Sequence, residues 1–152
     1  MIGGQPTKGT RMSDLYEDDI LLWSERQAEL LRRRAANELD WQNLAEEIED
    51  VGKSQLCSVA SHLVQVLLHD LKAEAWPQSP EVPLWRAEAR GQRDEARAAY
   101  APSMKERPVL DLTALYRRAL WRMPETIDGA APMPVPQVCP VTLEELLAEP
   151  EG

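Results

Sequence analysis

The sequence predicts an all-α fold: a bundle of four main helices, then an extended Pro-rich C-terminal strap and a short terminal helix. Three observations carry this reading. Apolar residues recur at intervals of three and four along four long segments. No segment shows a sustained two-residue alternation, and no internal repeat is present. Prolines collect between the periodic segments and at their starts.

The first helix is expected from Asp14, which has capping-box spacing with Glu17, to about Asn37. Its apolar face is Tyr16, Ile20, Trp23, Leu30 and Leu31, with Gln27 inside the stripe and in need of a buried partner. Arg32, Arg33 and Arg34 suit the negative end of its dipole. The second helix starts at Asp40 or Asn43 and runs to about Ala75, because Leu44, Ile48, Val51, Val59, Leu63 and Val66 stay in phase. Gly52 lies inside it and suggests a kink or a close helix contact.

Pro77, Pro80 and Pro83 break the chain, and Pro83 suits the first turn of a third helix ending near Ala101. Trp85, Ala89, Gln92, Ala96, Ala99 and Tyr100 form its inward face. Ser103 and Glu106 again have capping-box spacing, although Pro108 implies that the regular fourth helix starts there and runs to about Arg122. From Ala130 to Pro140 four prolines imply an extended strap, after which Thr142 and Glu145 cap a last short helix.

The length, 152 residues, suits one domain over residues 13–152 behind a flexible tail at 1–12. The formal charge is -9, and no Lys or Arg follows Arg122, which argues against nucleic acid and anionic membranes as partners. No run reaches the roughly 18 apolar residues of a membrane span, and the N-terminus lacks a signal-peptide core. Cys57 and Cys139 fit no metal or redox spacing. The chain is therefore expected to be cytoplasmic, with two free thiols.

The stretch from Asp40 to Asp50 holds five carboxylates, but helical phase divides them: Glu46, Glu49 and Asp50 point outward, and Glu47 sits at the margin of the apolar face. His62 and His69 fall on that face. The simplest reading makes them hydrogen-bonded core residues; the alternative is a metal or acid–base site shared with Glu47. Their separation, about 10 Å along the axis, is too large for one ion. Arg86, Arg90, Arg93 and Arg97 lie on one stripe of the third helix, facing either a small anion or the acidic second helix, with Arg93 paired to Glu47. Gln92 and Tyr116 complete the candidate polar cluster. No phosphate loop, nucleophile elbow or paired-cysteine metal motif is present, and the residues point to no particular cofactor.

Tyr16-x-x-Asp19-x-x-x-Trp23 with Gln27, the run Asp40-x-x-Asn43-Leu44-x-Glu46-Glu47-Ile48-Glu49 with Gly52 and Ser54, His69-x-Leu71-Lys72, and Trp85 with Gln92-Arg93 resemble the bacterial domain-of-unknown-function family 29. So do Pro102-Ser103, Tyr116, Glu125-Thr126 and Cys139-Pro140-x-Thr142. The resemblance implies a helical fold and assigns no activity. The chain departs from the family pattern at Val51, Asp70 and Trp76. The expected role is a protein-interaction or self-association module. The alternative is an enzyme, or a bundle binding a metal or small anion, that uses Glu47, His69 and Arg93.

Overall fold

The computed structural model describes residues 12–150. Apart from Met12, the expected N-terminal tail lies outside the described residues, as does the side chain of Ile20. The architecture is all-helical: α1 (Met12–Asp18), α2 (Ile20–Arg32), α3 (Trp41–Ala75), α4 (Val82–Ala99), α5 (Leu112–Trp121) and α6 (Leu143–Leu147), with short 3-10 turns at Ala36–Glu38, Pro102–Met104 and Pro108–Leu110. The described residues fall into two compact units, one ending at Gly52 and the other beginning at Lys53.

In the first unit, the expected first helix is divided at Asp19. The Asp19 side chain accepts from the Leu22 backbone N–H at 3.0 Å, so it caps α2 instead of continuing α1. At its other end α2 closes in a Schellman arrangement, with Ala35 N–H donating to Leu30 O and Arg34 N–H to Leu31 O. Arg34 therefore adopts φ 56°, a conformation that ordinarily favours glycine. Leu15, Trp23 and Leu30 are buried, and Gln27 is buried with them.

Of the two expected starts of α3 it is Asp40 that supplies the cap, so the helix begins at Trp41: the Asp40 carboxylate accepts from Asn43 Nδ2 at 2.8 Å and, weakly, from the Asn43 backbone at 3.5 Å. The apolar stripe predicted along α3 is present but only half covered. Val59, Leu63 and Val66 are fully buried, whereas Ile48 and Val51 are 66% and 71% exposed. Gly52 makes no close helix contact, because a Cβ built there would meet nothing within 4 Å.

The second unit packs the rest of α3 with α4, α5 and α6 around a core of Val59, Leu63, Val66, Ala96, Leu115, Tyr116 and Leu146. Pro83 sits in the first turn of α4 as expected. The Ser103 region forms 3-10 turns instead of a helix start. Asp111, accepting from Ala114 N–H at 3.3 Å, caps α5. The capping box of Thr142 and Glu145 forms and starts α6.

Between α5 and α6 the strap is tied down at several points. Asp128 and Gly129 both have positive φ and form a two-residue turn closed by reciprocal hydrogen bonds between Ile127 and Ala130. The Trp76 indole donates to Ala130 O at 2.9 Å, and Met133 N–H donates to Ala75 O at 2.8 Å, so the strap satisfies a carbonyl at the end of α3. Further on, the Tyr116 hydroxyl donates to Pro136 O at 2.6 Å.

Candidate functional site

In the second unit, α3 and α4 run side by side, and their facing polar residues form a seam. His62 Nδ1 lies 2.6 Å from Gln92 Oε1, an acceptor, so the Nδ1–H tautomer makes this bond. Two turns further along α3, His69 Nε2 meets Glu88 Oε2 at 3.2 Å. His69 Nδ1 is buried and has no hydrogen-bond partner. A neutral ring bonded through Nε2–H leaves only an acceptor unmatched there, whereas an imidazolium would strand a buried N–H. Burial accordingly holds the His69 pKa below 6.5, against the opposing pull of Glu88.

Next to His69, Asp70 Oδ2 lies 3.4 Å from Arg93 Nη2. Burial raises the Asp70 pKa, and Arg93 counteracts the rise. The contact is long, and Arg93 Nε is buried without a partner, so the guanidinium is only partly satisfied. Beside this pair opens a cleft of about 460 Å³, in which Asp70 and Glu74 of α3 and Arg86, Arg90 and Arg93 of α4 stand over a floor that includes Ala73 and Ala89. Small floor residues are what leave the space open.

Three members of the predicted arginine stripe thus share one cleft, and the fourth does not. Arg97 turns to the end of α6, where Nε donates to Leu147 O at 3.0 Å and Nη2 to Ala148 O at 2.5 Å, while Nη1 pairs with Asp94 at 2.8 Å. A cation there satisfies carbonyls that the helix leaves open. Lys72 packs over the Trp85 ring at 4.9 Å.

The expected Glu47–Arg93 pairing gives way to two local ones. Arg93 takes Asp70. In the first unit Glu47 takes the Tyr16 hydroxyl, and that hydrogen bond is the main reason the phenol pKa is pushed up to about 12. Helical phase places Glu47 and His69 on one side of α3 but says nothing about translation, and about six turns separate them. Tyr116 is also apart from the seam, holding the strap. Among the described residues no three His, Cys, Asp or Glu side chains are placed to hold a metal ion. Sequence reasoning missed Glu88, Glu74 and the pairing role of Asp70; running α4 antiparallel to α3 would have set Glu88 opposite His69.

The first unit has its own polar network, centred on Asp40. Its carboxylate accepts from Trp23 Nε1 at 3.2 Å, and its backbone N–H donates to Gln27 Oε1 at 3.0 Å. Tyr16 packs edge-on to Trp23 at 4.9 Å. Gln27 Nε2 is buried without a partner.

The residues of this network are among those that carry the family resemblance. A solved α-helical protein of unknown function from Rhodospirillum rubrum matches with a TM-score of 0.66 and 27% identity, over 88% of this chain and 89% of that one. No curated protein matches the sequence. The family model described as "Domain of unknown function DUF29" matches residues 15–150. The chain belongs to the DUF29 family.

Proposed function

We propose that this protein is an interaction module whose docking surface is the N-terminal part of α3. One observation carries the proposal: a single amphipathic stripe forms the core from Val59 onward but is bare at Ile48 and Val51. An apolar stripe of this kind on a helix is the usual footprint of a partner helix. Glu46, Glu49 and Asp50 are exposed around it. The occupant that fits is a partner protein presenting a basic amphipathic helix, since a second copy docking through the same stripe would set carboxylates against carboxylates.

A helical peptide with a leucine stripe flanked by lysines tests this, alongside the same peptide flanked by glutamates. The lysine peptide is expected to bind, more weakly at high salt, and to lose at least about tenfold in affinity to an Ile48→Asp, Val51→Asp variant, the loss that goes with roughly 1.4 kcal/mol. Equal binding of both peptides would remove the charge argument. A dimer in sedimentation that dissociates on the same double substitution would replace the partner by a second copy.

A further inference from the structure

The cleft of the second unit is lined by charged residues of α3 and α4. Its charges are mixed in a particular way. Arg93 and Asp70 face each other and offset one another. That leaves Arg86 and Arg90, one turn apart on α4, in the same cleft as Glu74 of α3, all three exposed and in no salt bridge among the described residues, with Arg86 acting on Asp70 only at longer range. A simple anion would meet the arginines but also two carboxylates; a simple cation would meet three guanidiniums. Either alone leaves like charges together in a confined space.

We propose that the cleft binds a small soluble zwitterion of the aminoalkyl phosphate class, its phosphomonoester held by Arg86 and Arg90 and its ammonium by Glu74. Charge decides the class. A phosphomonoester dianion matches two guanidiniums, whose forked N–H groups suit phosphate oxygens, and one ammonium matches the remaining carboxylate. Size agrees, since about 460 Å³ lies within the range of small-molecule sites. Arg93, which also lines the cleft, has a buried and unpartnered Nε, so that guanidinium has a donor still to satisfy. A phosphodiester, as in a lipid headgroup, carries one charge less and leaves an arginine unmatched.

Calorimetric titration of the full chain with phosphoethanolamine, ethyl phosphate and ethanolamine tests the assignment. Phosphoethanolamine is expected to bind at least about tenfold more tightly than ethyl phosphate, a factor equal to roughly 1.4 kcal/mol. An Arg86→Ala, Arg90→Ala variant should lose the binding, with an unchanged circular dichroism spectrum because both side chains are exposed. Glu74→Gln should bring phosphoethanolamine down to the ethyl phosphate level. The proposal is overturned if ethyl phosphate binds as tightly, if nothing binds at millimolar concentration, or if the double variant still binds. Cosedimentation with phosphatidylethanolamine vesicles that is abolished by the same double substitution would overturn the soluble source in favour of a lipid.

Discussion

Replacing Asp40 by alanine should open the first unit while leaving the second intact. The carboxylate has two structural duties. It caps α3, a contribution of about 1 kcal/mol when such a residue becomes alanine, and the long 3.5 Å contact to Asn43 N puts this case at or below that figure. It is also the acceptor for the Trp23 indole at 3.2 Å, and Trp23 is only 2% exposed. Leaving that N–H without a partner costs about 1–3 kcal/mol. The expected loss is about 1.5–4 kcal/mol, most of it from the tryptophan. Gln27 still accepts from the residue 40 backbone, so the network is damaged without being dismantled. The assay is amide hydrogen exchange followed by mass spectrometry. Peptides from α2 should exchange between about 13- and 900-fold faster, the factors equivalent to that energy at 1.36 kcal/mol per tenfold. Peptides covering Val59 to Leu71 should change little. Asp40→Asn keeps an acceptor and should retain more than half of the protection. An alanine variant within about 0.5 kcal/mol of the parent, the ordinary range of surface substitutions, would refute the reasoning, and so would equal acceleration in both units.

Other predictions concern individual groups. Glu47→Gln should bring the Tyr16 phenol from about 12 back towards 10, read as the ultraviolet ionisation of a Tyr100→Phe, Tyr116→Phe background; the upward shift also means that Tyr16 loses its contribution to stability as pH rises from 10 through the folded value. Glu88→Gln should lower the His69 pKa further, measured by the NMR shifts of its ring protons, because Glu88 is the largest influence raising it. The depressed pKa makes the stabilising contribution of neutral His69 intact above 6.5 and lost as pH falls through the folded value, so a denaturation series under acid should show a shallower decline in His69→Gln. Arg34→Gly should stabilise the fold by about 0.5–1 kcal/mol in urea titration, since φ 56° strains any side chain with a Cβ; no change would mean that the arginine makes a compensating contact.

The helices were legible because their cause is local. Periodicity placed α3 and α4 to within a few residues, and Thr142 with Glu145 announced a cap that the structure contains. Local signals failed where two of them competed. Asp14 and Asp19 both can cap a helix, and it is Asp19 that turns its carboxylate onto a backbone N–H and divides the segment. The α3 stripe shows a different limit: pattern reveals that Ile48 and Val51 are fit to be covered and cannot say by what. The candidate site was legible only as residue types. Helical phase put the arginines on one stripe and both histidines on the apolar face, but it did not give their partners, since Asp70, Glu88 and the carbonyls that receive Arg97 are specified by how α3, α4 and α6 align in space. Phase about an axis is encoded in a few residues, whereas pairing between helices needs the whole chain.

The ties of the strap bear on the order in which the chain organises itself. The bond from Trp76 to Ala130 closes 54 positions and those from Arg97 to the end of α6 close 50 and 51, while the Trp23–Asp40 and Gln27–Asp40 bonds of the first unit close 17 and 13. Loop closure makes the Trp76 link costlier than the Trp23 link by about 1 kcal/mol before either is repaid by packing. A nascent chain therefore meets the partners of Asp40 early, and the end of α3 stays open until a segment synthesised much later comes back to close it.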